Sequence, residues 1–138
     1  MYVMNSREDE LLTRLLSDLS AIGLPVYEVD VFLRPYSKTF FGRYFPVIDE
    51  RRARAKIYIY PYEYNRENAF YDYDLIFQTG VHEFIHHVQY VNRSFVRRKG
   101  VMHDVQFWKL YNHYLERAYR FGIIEKRGDV VEQQYATV

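Results

Sequence analysis

The stretch VHEFIHHV, residues 81–88, decides how this chain is read, because it sets His82, Glu83 and His86 in the order His-Glu-x-x-His. On a helix, residues four apart lie about 6 Å apart along the axis and about 40° apart around it, so both imidazoles can reach one cation. Glu83 follows at about 100° from His82, on the same arc. A zinc hydrolase needs this set: neutral imidazoles converging on one ion, a carboxylate beside the attacking water, and one coordination position left open. The pattern is short enough to arise by accident, so the helix around it is the test. Val91, Phe84, Phe77, Val88, Val81 and Ile85 fall between about 180° and 300° on that wheel, away from the ligand arc. The helix is therefore expected to bury one side in the core and present His82, Glu83 and His86 to a cleft. Histidines that only filled a core would fall inside the stripe.

Two neighbours of the motif have open readings. His87 points about 100° away from His86, which suits a cleft wall or a place behind the ligands, and suits plain surface exposure equally. Gly80 is unfavourable inside a helix and marks either a close approach by another element or a bend.

Catalytic zinc usually takes three protein ligands. On a later helix, residues 104–121, Leu110, Phe121, Tyr114, Phe107, Ala118, Tyr111 and Leu115 form the inward stripe. Counted from Phe107, His103 falls near about 320° and Asp104 near about 60°, both inward. Glu116 falls near about 180° and faces away, and His113 lies off the stripe near about 240°. His103 is the expected third ligand. Asp104 is first an N-cap for this helix and only secondarily a group that orients an imidazole.

The rest of the chain reads as one small α+β domain over 1–138, with a core over about 6–121 and a short tail, 122–138. A helix is expected over 6–22, opening at Ser6 with Asp9 behind it, carrying Leu11, Leu12, Leu15, Leu16, Leu19 and Ile22 on one stripe, and ending at Gly23 and Pro25. A strand follows over 26–34, with Tyr27, Val29, Val31 and Leu33 on one face. Segments 40–48 and 53–60 read as a hairpin with a polar turn, Pro46 at an edge or bulge, and 61–74 as a loop before a helix over 75–92. Apolar residues at 49% against 27% charged exclude a disordered chain, and no apolar run approaches the length of a membrane span. The absence of cysteine excludes disulfides, a thiol nucleophile and a cysteine zinc ribbon. A cytoplasmic protein with no membrane partner is expected. The 19% aromatic content, with 15 Tyr, is first a matter of core and strand packing.

The order His82-Glu83-x-x-His86, then sixteen residues, then His103-x-x-x-Phe107-Trp108, resembles the SprT-like (Spartan-type) zinc metallopeptidases. The upstream helix and strands, with the glycine of FFGRYF before IYIYP, are similar to that family as well. The resemblance covers nearly the whole chain and implies a small zincin-like fold, one zinc ion and cleavage of polypeptide substrates. Asp104 stands where the family commonly has glycine, and the family's cysteine-rich ribbon is absent, so its association with DNA-crosslinked proteins does not carry over directly.

The resulting expectation is a zinc-dependent metalloendopeptidase with His82, His86 and His103 as ligands and Glu83 as the base. Its substrate would lie extended along an exposed sheet edge such as the 56–60 strand. The alternatives are a non-catalytic zincin-fold module that binds DNA or a host protein, and a hydrolase of non-peptide amides. Arg93, Arg97, Arg98 and Lys99 form a basic cluster between the motif and His103 and are candidate nucleic-acid contacts; Arg51, Arg52, Arg54 and Lys56 form a second cluster. With a net charge of only +1, solvated loops are the simpler reading of both.

Overall fold

A computed structural model describes residues 3–35, 37–46, 54–63, 69–92 and 103–126. Its elements are α1 (Ser6–Ala21), β1 (Val29–Leu33), β2 (Gly42–Phe45), β3 (Ala55–Ile59), α2 (Tyr73–Val91) and α3 (Val105–Arg120), the expected α+β order. The capping box of α1 lies one residue earlier than Ser6. Asn5 Oδ1 accepts from the Glu8 N–H at 2.9 Å, and Glu8 Oε1 accepts from the Asn5 N–H at 2.9 Å. A glutamate three residues after the cap closes this reciprocal pair better than the shorter Asp9 could, which moves Ser6 into the first turn. The buried Glu8 carboxylate also accepts from the Tyr62 hydroxyl at 2.7 Å. Leu15, Leu19 and Ile22 are buried, each contributing roughly 1.5–3 kcal/mol by leaving water.

The first strand starts at Val29 rather than 26. Pro25 fixes its own φ and its carbonyl accepts from the Glu28 N–H at 3.0 Å, winding Val26–Glu28 into a 3-10 turn. Tyr27 is consequently 75% exposed, off the inward face that Val29 and Leu33 supply. The sheet order is β1-β3-β2, with β3 parallel to β1 and antiparallel to β2. The expected hairpin of β2 and β3 is present; its turn, within 47–53, lies outside the described residues. Pro46 directly follows β2, an outer strand whose end tolerates a missing N–H. The expectation of an open edge at 56–60 is incorrect. Ala55, Ile57 and Ile59 are all buried, and β3 lies in the centre of the sheet, paired on both sides. The outer strands are β1 and β2.

Helix α2 opens at Tyr73 after Asp72, two residues earlier than expected. Tyr73 anchors that start by donating to Asp18 of α1 at 2.6 Å, and burial followed by the Asp18 contact raises the phenol pKa. Every residue from Thr79 to His87 is buried, so α2 is the central helix rather than one with a side turned to a cleft. Helix α1, the sheet and α3 enclose it. At Gly80 a Cβ would lie 3.2 Å from Leu19 Cδ1 and 3.4 Å from Leu15 Cδ1, so the glycine marks close approach of α1 and not a bend. No described helix is long and apolar enough to cross a membrane.

Gly80→Val forces branched carbons into that contact and should destabilise the fold by about 1–3 kcal/mol, despite the gain in helix propensity. Urea unfolding should show a lower midpoint at constant slope. An unchanged midpoint would mean that α1 has room to retreat.

Candidate metal centre

The buried second half of α2 carries His82, Glu83 and His86, and the residue before the α3 cap is His103. The ligand atoms of the three histidines all lie within 4.8 Å of one another, close enough to hold one metal ion. Their ring centroids form a nearly equilateral triangle, with 5.0 Å from His82 to His86, 4.7 Å from His82 to His103 and 5.1 Å from His86 to His103. His82 Nε2 and His103 Nε2 are 3.0 Å apart. Two nitrogens each bonded to a tetrahedral zinc at about 2.0–2.1 Å stand about 3.3 Å apart, so adjustment of a few tenths of an ångström brings this pair onto one ion. The donor set fits the group.

The ring of Phe107 is the floor of this triangle. Its centroid is 4.8 Å from that of His82, 4.9 Å from His86 and 4.8 Å from His103. Trp108 and Tyr111 extend the wall beside it. Aromatic surroundings of this kind lower the local dielectric and strengthen any charge interaction at the site. Glu83 Oε2 lies 3.9 Å from His82 Nε2, beside the point on which the imidazoles converge. The carboxylate is packed under β2 at Gly42. There a Cβ would stand 2.6 Å from Thr79 Cγ2, 3.0 Å from Glu83 Cγ and 3.3 Å from Glu83 Oε2, a space that only glycine leaves free.

His103 owes its place to its neighbour. Asp104 is the expected N-cap of α3, accepting from the Phe107 N–H at 2.8 Å, and the same oxygen accepts from Gln89 Nε2 of α2 at 3.3 Å. Cap and cross-link act on the residue adjacent to His103 and fix α3 against α2. His87 is buried, which removes the surface alternative. Its Nδ1 is 2.8 Å from the Tyr44 hydroxyl and its Nε2 is 2.9 Å from Glu28 Oε1. Burial first, then Tyr90 and Glu28, raises the Tyr44 phenol pKa. The Tyr44 ring is nearly parallel to that of His86, at 21° and 6.5 Å.

Glu116 and His113 are exposed on α3, away from the cluster, as their wheel positions imply. Arg93, Arg97, Arg98 and Lys99 lie outside the described residues, as do Arg51 and Arg52. Arg54 bonds to Asp30 at 2.9 Å and donates to the Tyr27 carbonyl, so it holds the start of the sheet together. Three residues of the site carried signals to which the sequence reading gave no role at the histidines, Gly42 having been noted only for the family resemblance. Gly42 is a glycine inside a strand pattern, Tyr44 follows it by two on the same face, and Gln89 stands seven after His82, about 20° from it on the wheel. No family model, curated protein or solved structure matches the chain.

His103→Ala should reduce bound metal from about one per chain to a small fraction under a weak competing chelator, read by elemental analysis. Undiminished metal would move the third ligand elsewhere. Asp104→Ala should keep all three imidazoles yet weaken metal binding by roughly tenfold and stability by about 1 kcal/mol, measured by chelator competition and urea unfolding.

Proposed function

We propose that this chain is a zinc-dependent metallopeptidase of the SprT-like kind that cleaves extended polypeptides. The observation that carries the reading is the convergence of three imidazoles with a buried carboxylate 3.9 Å from one of them. Structural zinc sites fill four positions with protein groups, mostly cysteine, whereas three histidines leave a position open. Imidazole serves copper, nickel and iron as well, and an adjacent carboxylate base favours the redox-inert ion that hydrolysis uses. Keeping an ionisable carboxylate buried costs free energy. A module that only bound DNA or protein would have no use for Glu83 in that position.

When bound, zinc supplies Lewis acidity toward a carbonyl oxygen and lowers the pKa of a water in the open position. Glu83 accepts a proton from the attacking water and delivers it to the departing amine nitrogen. Phe107, Trp108 and Tyr111 exclude bulk water from beneath the imidazoles. The substrate direction follows from β2. The Tyr60 N–H donates to the Phe41 carbonyl at 2.9 Å, so Phe41 and Tyr60 are a hydrogen-bonded pair facing β3. Alternation in an antiparallel ladder then turns the N–H and C=O of Gly42 and Tyr44 to the outer edge. Those are the two β2 residues packed against Glu83 and His86. A polypeptide added as a strand there would pass directly beside the imidazoles, the role first expected of 56–60.

Glu83→Gln should retain about one zinc per chain and the parent's unfolding midpoint, while cleavage of an unfolded polypeptide falls by about 10²–10⁴-fold. Mass spectrometry of the products and elemental analysis read both arms. Cleavage at the parent's rate would remove Glu83 as the base and end this mechanism.

A further inference from the structure

Glu28, His87 and Tyr44 form a hydrogen-bonded chain through three elements that are remote in sequence. A carboxylate only accepts, so the His87 Nε2–H donates to Glu28 Oε1 across 2.9 Å. In the neutral ring Nδ1 is then an acceptor, and the Tyr44 hydroxyl donates to it across 2.8 Å. Every polar position of the His87 ring is used. The chain begins at the turn before β1, crosses the buried face of α2 and ends on β2, so it spans the sheet between its two outer strands. Tyr44 is pinned twice, by its hydroxyl to His87 and by its ring against His86 and the edge-on ring of His87. Its backbone N–H and C=O face the outer edge of β2 (by the alternation set out above), and two residues earlier Gly42 touches Glu83.

We propose that the Tyr44–His87–Glu28 chain is a positioning device: it holds the outer edge of β2 at a fixed height over Glu83 and the three imidazoles, so that an extended polypeptide paired to Gly42 and Tyr44 enters in one register. The proposal rests on the peptidase reading for its substrate and assigns His87, Tyr44 and Glu28 to substrate placement rather than to metal binding or proton transfer. β2 is a short outer strand of four residues, paired with β3 alone in the sheet. Its pairing with β3 sets its lateral position, whereas its depth relative to α2 depends on what its inward side chains hold. Gly42 contributes no side chain, which leaves Tyr44 as the inward anchor. Loss of one bond in the chain lets the edge rise or slip and weakens substrate binding, while the three metal ligands stay in place.

The test uses the full chain carrying Glu83→Gln and loaded with zinc, binding a defined, fluorescently labelled extended peptide. Tyr44→Phe, which keeps the ring and removes the hydroxyl, should raise the Kd by about tenfold with zinc content unchanged. Adding Glu28→Gln to it should bring little further loss, because both break one chain. His87→Gln, whose amide can still accept from Tyr44 and donate to Glu28, should recover most of what His87→Leu loses. In the cleaving parent background, Tyr44→Phe should raise KM by the same factor, leave kcat within about twofold, and spread cleavage over neighbouring bonds of the peptide. Nitrogen-15 NMR of the zinc-loaded protein should show His87 protonated on Nε2, a signature independent of how well any variant folds. A Kd in Tyr44→Phe within twofold of the parent's, a loss of zinc from that variant, an Nδ1-protonated His87, or no peptide binding by the parent background would each overturn the proposal. Peptide binding that depends on Tyr44 without any cleavage by the parent would sustain the positioning role and remove the peptidase reading. Cleavage by the parent with no dependence on Tyr44 would do the reverse.

Discussion

Four polar side chains in six consecutive residues, His82, Glu83, His86 and His87, are buried on a helix packed between α1, the sheet and α3. An imidazole or carboxylate taken out of water without compensation costs several kcal/mol, so such a helix is tenable only if each group is met by another built for it. Much of the remaining structure can be read as that provision. His87 is met by Tyr44 of β2 and by Glu28 just before β1, at the two outer edges of the sheet. His82 and His86 are met by His103, which arrives at the head of α3. Glu83 is accommodated because Gly42 contributes no side chain where β2 crosses it. The apolar side of the same helix is met by Leu15 and Leu19 of α1, which approach closely because residue 80 is also glycine. Two glycines, one on each face of the helix, therefore set how near its neighbours can come.

The enclosure has a consequence for how metal and fold relate. The three histidines come from two elements, α2 and the residue before the α3 cap, so an ion held at the triangle would bridge them. Histidines separated in an unfolded chain are gathered only when α3 docks, so the free energy of binding an ion there would contribute to docking. The Gln89–Asp104 bond and the Phe107 floor do the same work without metal. Phe107 thus serves the core and the site together, filling the space between helices while carrying all three imidazoles on one ring.

How far the site was legible in the sequence depended on the range of the interactions involved. The convergence of the three histidines was readable because helix geometry converts spacing into direction. His82 and His86 share an arc by their separation of four, and His103 and Asp104 could be placed by extending the stripe of the following helix. The α+β order was readable from periodicity and from the breaks at Gly23 and Pro25. What failed depended on competition. Asn5 took the cap from Ser6 because Glu8 stood in the better place. Pro25 wound Val26–Glu28 into a turn that periodicity alone assigns to a strand. Sheet order was not readable, since nothing local says that the last strand lies in the middle. The two-faced picture of α2 failed because its polar arc is covered by other elements rather than by solvent. Glu28 could not be found at all, as it meets His87 across 59 positions of sequence.

The account stands on one coordination unit, and X-ray absorption at the zinc edge of the loaded protein measures it most directly. Three imidazole nitrogens at about 2.0–2.1 Å, with the multiple-scattering pattern of intact rings, are the predicted result, reduced to two in His103→Ala. A spectrum requiring only two imidazoles in the parent, or a carboxylate in place of the third, would contradict the assignment of His82, His86 and His103 as the set around which this helix is built.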